Sequence, residues 1–106
     1  MKIDAFFDNV ENHPELEGAG IEEGENPAVY IRHRPSQLMT RLPLTVIADV
    51  EWPVLEDILV GRREPVVLQH MTRVVGYYSR VENWNKSKIG ELRDRQKGDY
   101  AIRHAG

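Results

Sequence analysis

The apolar positions of the first dozen residues, Ile3, Phe6, Phe7 and Val10, recur three and four apart, the spacing that gathers side chains on one side of an α-helix. A short N-terminal helix is predicted, its apolar stripe docked on the rest of the chain. The next stretch is acidic and punctuated by Gly18, Gly20 and Gly24 ahead of Pro27, which predicts a loose loop. Ala28 to Arg32, AVYIR, reads as a strand between Pro27 and the polar run His33 to Gln37. Leu42 to Val50, LPLTVIADV, is rich in β-branched residues and reads as a buried strand, although so short an apolar run is also compatible with helix. In EWPVLEDILVG, Pro53 suits a first helical turn, Val54, Leu55, Ile58 and Leu59 share a face, and Gly61 can end the helix in the left-handed region. A helix over 52–60 follows. Val66 to Val81 carries β-branched and aromatic residues interrupted by Gly76, which predicts two strands, near 66–71 and 73–81, or one strand and a functional loop. Asn85 stands where a helix N-cap belongs, ahead of KSKIGELRDRQK, whose Ile89 and Leu92 form a thin apolar stripe among charges. A largely exposed helix is expected over 85–97.

Together these elements describe one small α+β domain of 106 residues, a mostly antiparallel sheet covered by two or three short helices. Charge divides it further. Residues 1–26 hold eight acids against one base, and residues 27–106 hold thirteen bases against nine acids. The acidic N-terminal helix and loop, 1–26, could therefore lie over the basic body, 27–106. The whole chain carries a net charge of −3, which argues against a nucleic-acid binder built on a broad basic face. The absence of cysteine excludes disulfides, thiolate zinc sites, iron–sulfur clusters and a cysteine nucleophile within the chain. No apolar stretch approaches the ~20 residues that span a bilayer, and the acidic N-terminus is unlike a signal peptide, so a cytoplasmic protein without a membrane segment is expected.

Candidate chemistry is sparse. His13, His33, His70 and His104 lack the close helical spacing of a metal pair, and no metal site is expected. Arg62 and Arg63 could meet a phosphate or an acidic partner, or line a solvated turn. Tyr77, Tyr78, Trp84 and Tyr100 suit either a contact surface or the core of a small domain. Ser36, Ser79 and Ser87 have no recognisable base and acid arranged around them in sequence, and the adjacent carboxylates Glu22-Glu23 and Glu56-Asp57 make poor acid–base pairs. A conventional hydrolase is not indicated.

One segment is more specific. Arg73-Val74-Val75-Gly76-Tyr77, followed by Trp84-Asn85, Lys88, Glu91 and Asp94-Arg95, resembles the C-terminal end of anaerobic (class III) ribonucleotide reductases. The resemblance covers residues 72–100. It implies that Gly76 corresponds to the glycine that carries a stable radical in that family, generated by a separate radical-SAM activase, with Arg73, Tyr77, Tyr78, Trp84, Asn85, Lys88, Glu91 and Arg95 as motif and interaction residues. Glycine suits that chemistry because removal of a Cα hydrogen leaves a radical delocalised over the flanking amides, and the missing side chain lets an activase approach. Without the resemblance, the same glycine reads as a bend or bulge between strands. The reductases place two cysteine pairs upstream of the glycine, where this chain has DILVGRREPVVLQHM, so their metal site is not carried over. The catalytic barrel and thiyl cysteine are missing as well. The resemblance therefore implies an accessory protein without a cofactor of its own, partnered by an activase or a larger reductase-like protein. The alternative is a structural or regulatory binding module that has lost radical chemistry.

Overall fold

A computed structural model describes residues 1–74 and 81–93 of the chain as a small α+β domain. Helix α1 (Ile3–Asn12) leads into β1 (Leu16–Glu22), β2 (Ala28–His33) and β3 (Leu38–Pro43), then α2 (Leu44–Asp49) and α3 (Trp52–Leu59). A single 3-10 turn (Val67–Gln69) precedes β4 (Thr72–Val74), and β5 (Val81–Glu82) is followed by helix α4 over 86–93. The five strands form one antiparallel sheet in the order β4-β3-β2-β1-β5.

β2 lies at the centre and is the strand the sequence shows most clearly. Val29 and Ile31 face the helices, while Ala28 and Tyr30 are buried on the other side. The helical face is apolar: Phe6, Phe7 and Val10 of α1, Leu44 and Ile47 of α2, and Leu55, Ile58 and Leu59 of α3 close over Ile21, Val29, Ile31 and Leu42. Ile89 and Leu92 of α4 join the same core, so the thin stripe expected there is buried although most of the other residues of that helix are charged. Burial of this kind supplies the dominant favourable term in folding, at roughly 25 cal/mol for each Å² of apolar surface. The opposite face carries polar cross-strand groups. Tyr30 donates to Glu22 at 2.7 Å, and Arg41 donates to the same carboxylate through Nη2 at 2.8 Å and Nε at 3.2 Å.

Three expectations are corrected. The loose loop is largely strand β1, because Leu16 and Ile21 are buried in the core and a bulge between Gly18 and Gly20 absorbs the odd spacing between them. The buried strand over 42–50 is instead the end of β3 and helix α2. Pro43 brings no N–H to the ladder, the Leu44 amide turns away to the Pro27 carbonyl at 3.0 Å, and Leu44 and Ile47 then meet the core at helical spacing. The strand near 66–71 is the 3-10 turn, closed by the Met71 amide on the Val66 carbonyl at 3.3 Å, with His70 in the left-handed region at φ +65°. Its apolar residues point outward: Val67 is 71% and Leu68 94% exposed. The helix predicted over 52–60 is observed with Gly61 at φ +92° after it; of the predicted 73–81 strand, Arg73 and Val74 lie in β4 and Val81 in β5, and residues 75–80 lie outside the described residues. Among the described residues, no helix is long and apolar enough to cross a membrane.

Candidate functional site

The reductase-like segment enters the fold at β4, whose Thr72, Arg73 and Val74 pair with Arg41, Thr40 and Met39. This register places Arg73 beside buried Thr40, and its guanidinium donates to the Thr40 hydroxyl and to the Arg63 carbonyl at 3.4 Å. Burial holds the Arg73 guanidinium below the ordinary arginine range. The charge is thus committed to the β3–β4 seam.

Toward the opposite edge of the sheet, Trp84 lies across β1 on the helix-covered face. Its ring occupies the space a side chain at residue 18 would need, so a Cβ on Gly18 would fall inside the indole. The edge of Trp84 meets Phe7 with ring centroids 5.6 Å apart and planes at 73°. An open cavity of about 620 Å³ borders it, with Val10, Leu16, Glu17, Arg34 and Lys86 among its walls. Asn85 caps α4 as its position suggests: its Oδ1 accepts the Lys88 amide at 2.8 Å. Lys88 bridges Glu23 at 3.2 Å and Glu91 at 3.4 Å, tying α4 to the end of β1. The next turn of α4 is anchored by Arg93, which pairs with Asp4 at 3.4 Å and Asp8 at 3.3 Å while standing over the Phe7 ring.

The described motif residues are therefore not gathered into one constellation. Arg73 belongs to the β4 edge, whereas Trp84, Asn85, Lys88 and Glu91 belong to the opposite side with β5 and α4. Gly76, Tyr77, Tyr78 and Arg95 lie outside the described residues, as do Tyr100 and His104. Arg62 and Arg63 are drawn to Asp57, at 2.9 and 3.7 Å, so the pair is matched within the chain. Among the described residues, no group of three His, Cys, Asp or Glu is placed to hold a metal ion.

Sequence reasoning missed one cluster. His33 at the end of β2 is 7% exposed, with Nδ1 2.6 Å from the Ser36 hydroxyl and Nε2 2.9 Å from the Glu15 carboxylate. The local His33-x-x-Ser36 spacing is visible in the sequence. Glu15 joins it only through the pairing of Leu16 with His33, which requires recognising β1. Comparison of the chain with protein-family models, curated proteins and solved structures finds no match.

Proposed function

We propose that this chain is an accessory domain that carries a reductase-like glycyl segment and works with a radical enzyme or its radical-SAM activase, without being a complete reductase. The observation that carries this reading is the ordered run Arg73-Val74-Val75-Gly76-Tyr77, then Trp84-Asn85, Lys88 and Glu91. Its support in the fold is that both flanks of Gly76 belong to one small domain, β4 before it and β5 with α4 after it. An apolar tip at Val67 and Leu68 stands exposed just ahead of β4, the kind of surface a protein partner covers.

In this role, one hydrogen atom leaves the Gly76 Cα for the radical fragment released from S-adenosylmethionine when the activase reduces it by one electron. The glycyl radical then takes a hydrogen atom from a thiol of the larger partner, because this chain has no cysteine. A second reading is favoured by the geometry of Arg73, Trp84, Asn85 and Lys88, each engaged within the fold: a structural or regulatory binding module that keeps the motif for its architecture. Anaerobic electron paramagnetic resonance separates the two. The intact chain is incubated with a matching activase, S-adenosylmethionine and reductant, alongside Gly76→Ala. A doublet lost in the variant supports the carrier; no signal, with the activase competent on its own reductase, leaves the binding module.

A further inference from the structure

The β2–β3 turn holds an arrangement that the reductase-like segment does not use. Arg34 donates its amide to the Glu15 carbonyl at 2.9 Å, which locks the residue before β1 against the turn and brings the Glu15 carboxylate to His33. Gln37, in the left-handed region at φ +63°, closes the turn with its amide on the His33 carbonyl at 2.8 Å and its side-chain amide on the Arg34 carbonyl at 2.8 Å. Such backbone angles in a non-glycine residue persist only where the surroundings fix them, and here they fix the exposed Ser36 against buried His33.

Proton positions follow from the partners. The Glu15 carboxyl is held below the usual carboxylate range, first by its hydrogen bond with His33, so it is ionised at neutral pH and only accepts. His33 Nε2 therefore carries a hydrogen and donates to Glu15. In the neutral imidazole, Nδ1 is then the acceptor, and the Ser36 hydroxyl donates to it at 2.6 Å. The Leu38 amide donates to the Ser36 oxygen at 3.3 Å, leaving one lone pair open to solvent. Carboxylate, imidazole and hydroxyl thus stand in the relation that activates a serine.

We propose that Ser36 is a nucleophile, with His33 as its general base and Glu15 as the positioning carboxylate, and that it accepts the acyl group of a small activated ester. The Ser36 oxygen bonds to the ester carbonyl carbon while its proton passes to His33 Nδ1. The leaving alkoxide departs with that proton as the alcohol, and water, deprotonated in turn by His33, releases the acid and restores the hydroxyl. An exposed turn suits a small donor rather than one that needs a deep apolar pocket.

The test is labelling of the intact chain with diisopropyl fluorophosphate, in which the Ser36 oxygen bonds to phosphorus, fluoride leaves and the proton goes to His33. Mass spectrometry should place one adduct on Ser36, absent in Ser36→Ala, and forming at least about a hundredfold faster than any adduct on Ser87, an exposed serine on α4. The labelling rate is followed across pH. His13, Arg34 and Arg62 also bear on this region, and Glu15→Gln, at a half-exposed position, should lower the rate and displace the pH profile while leaving the fold intact. Labelling of Ser36 no faster than Ser87, or unchanged in rate and profile by Glu15→Gln, overturns the proposal.

Discussion

The two flanks of Gly76 are held in different ways. Before it, Met71 is buried in the core, and beyond Met71 the described residues of β4 meet the sheet at three paired positions with Arg73 hydrogen-bonded to Thr40 and to the Arg63 carbonyl. After it, β5 makes only two pairs, but the chain continues into Trp84 across Gly18 and then into Ile89 and Leu92 in the core. A net gain of about 0.5–1.5 kcal/mol for each hydrogen bond makes the attachment of β4 beyond Met71 weak, whereas burying two aliphatic side chains and an indole face makes the second flank part of the fold itself. Opening of the β4 edge is thus compatible with an intact domain, and opening of α4 is not. Regions of low local stability are where rearrangement takes place, so the β4 side is the one that opens first.

Leu92→Ala bears hardest on this contrast. Truncating a fully buried leucine on the firm flank is expected to cost about 2–5 kcal/mol, read from denaturant unfolding. Gly18→Ala comes next: the added Cβ displaces the Trp84 indole, costs about 1–3 kcal/mol as overpacking does, and changes the tryptophan fluorescence. Asn85→Ala removes the cap on the Lys88 amide and should cost about 1 kcal/mol, with the loss seen as fraying of the first turn of α4 by NMR. The smallest effect at neutral pH comes from the central meander. Burial, reinforced by donation to Glu22, pushes the Tyr30 phenol up to about 12, against an ordinary value of about 10. The folded state therefore holds this proton more tightly than the unfolded chain. Its contribution to stability is complete below pH ~10 and is lost as pH rises toward ~12. Alkaline unfolding should steepen in that window, and Tyr30→Phe should remove the extra slope without changing the behaviour below it.

What was legible in the sequence follows the same division. α1, β2, α3 and the cap at Asn85 announce themselves through apolar spacing or a capping residue, and each is found. β1 is hidden because its bulge between Gly18 and Gly20 breaks the two-residue alternation and its half-buried positions are Glu17, Gly18, Ala19 and Glu22, none of them a strand former. The β-branched run Thr45-Val46-Ile47 favours strand locally, yet it folds as helix where Pro43 ends β3 and the core accepts Leu44 and Ile47. The roles of individual motif residues were less accessible still. Trp84 can be interpreted only once Gly18 is seen beneath it, Arg73 only beside Thr40, and Ser36 only when strand register delivers Glu15 to His33. Each of these pairs is distant in sequence and is created by sheet pairing or by helix packing on the sheet.

The strand leading into Gly76 is held less firmly than the helix that follows it. Native-state amide hydrogen exchange of the intact chain tests this directly. The β4 amides bonded to β3 should exchange through openings well below the global unfolding free energy and nearly independent of low denaturant, while amides of β2 and those at Ile89 and Leu92 should exchange only through global unfolding. Equal protection of β4 and β2, with the same denaturant dependence, would contradict the account.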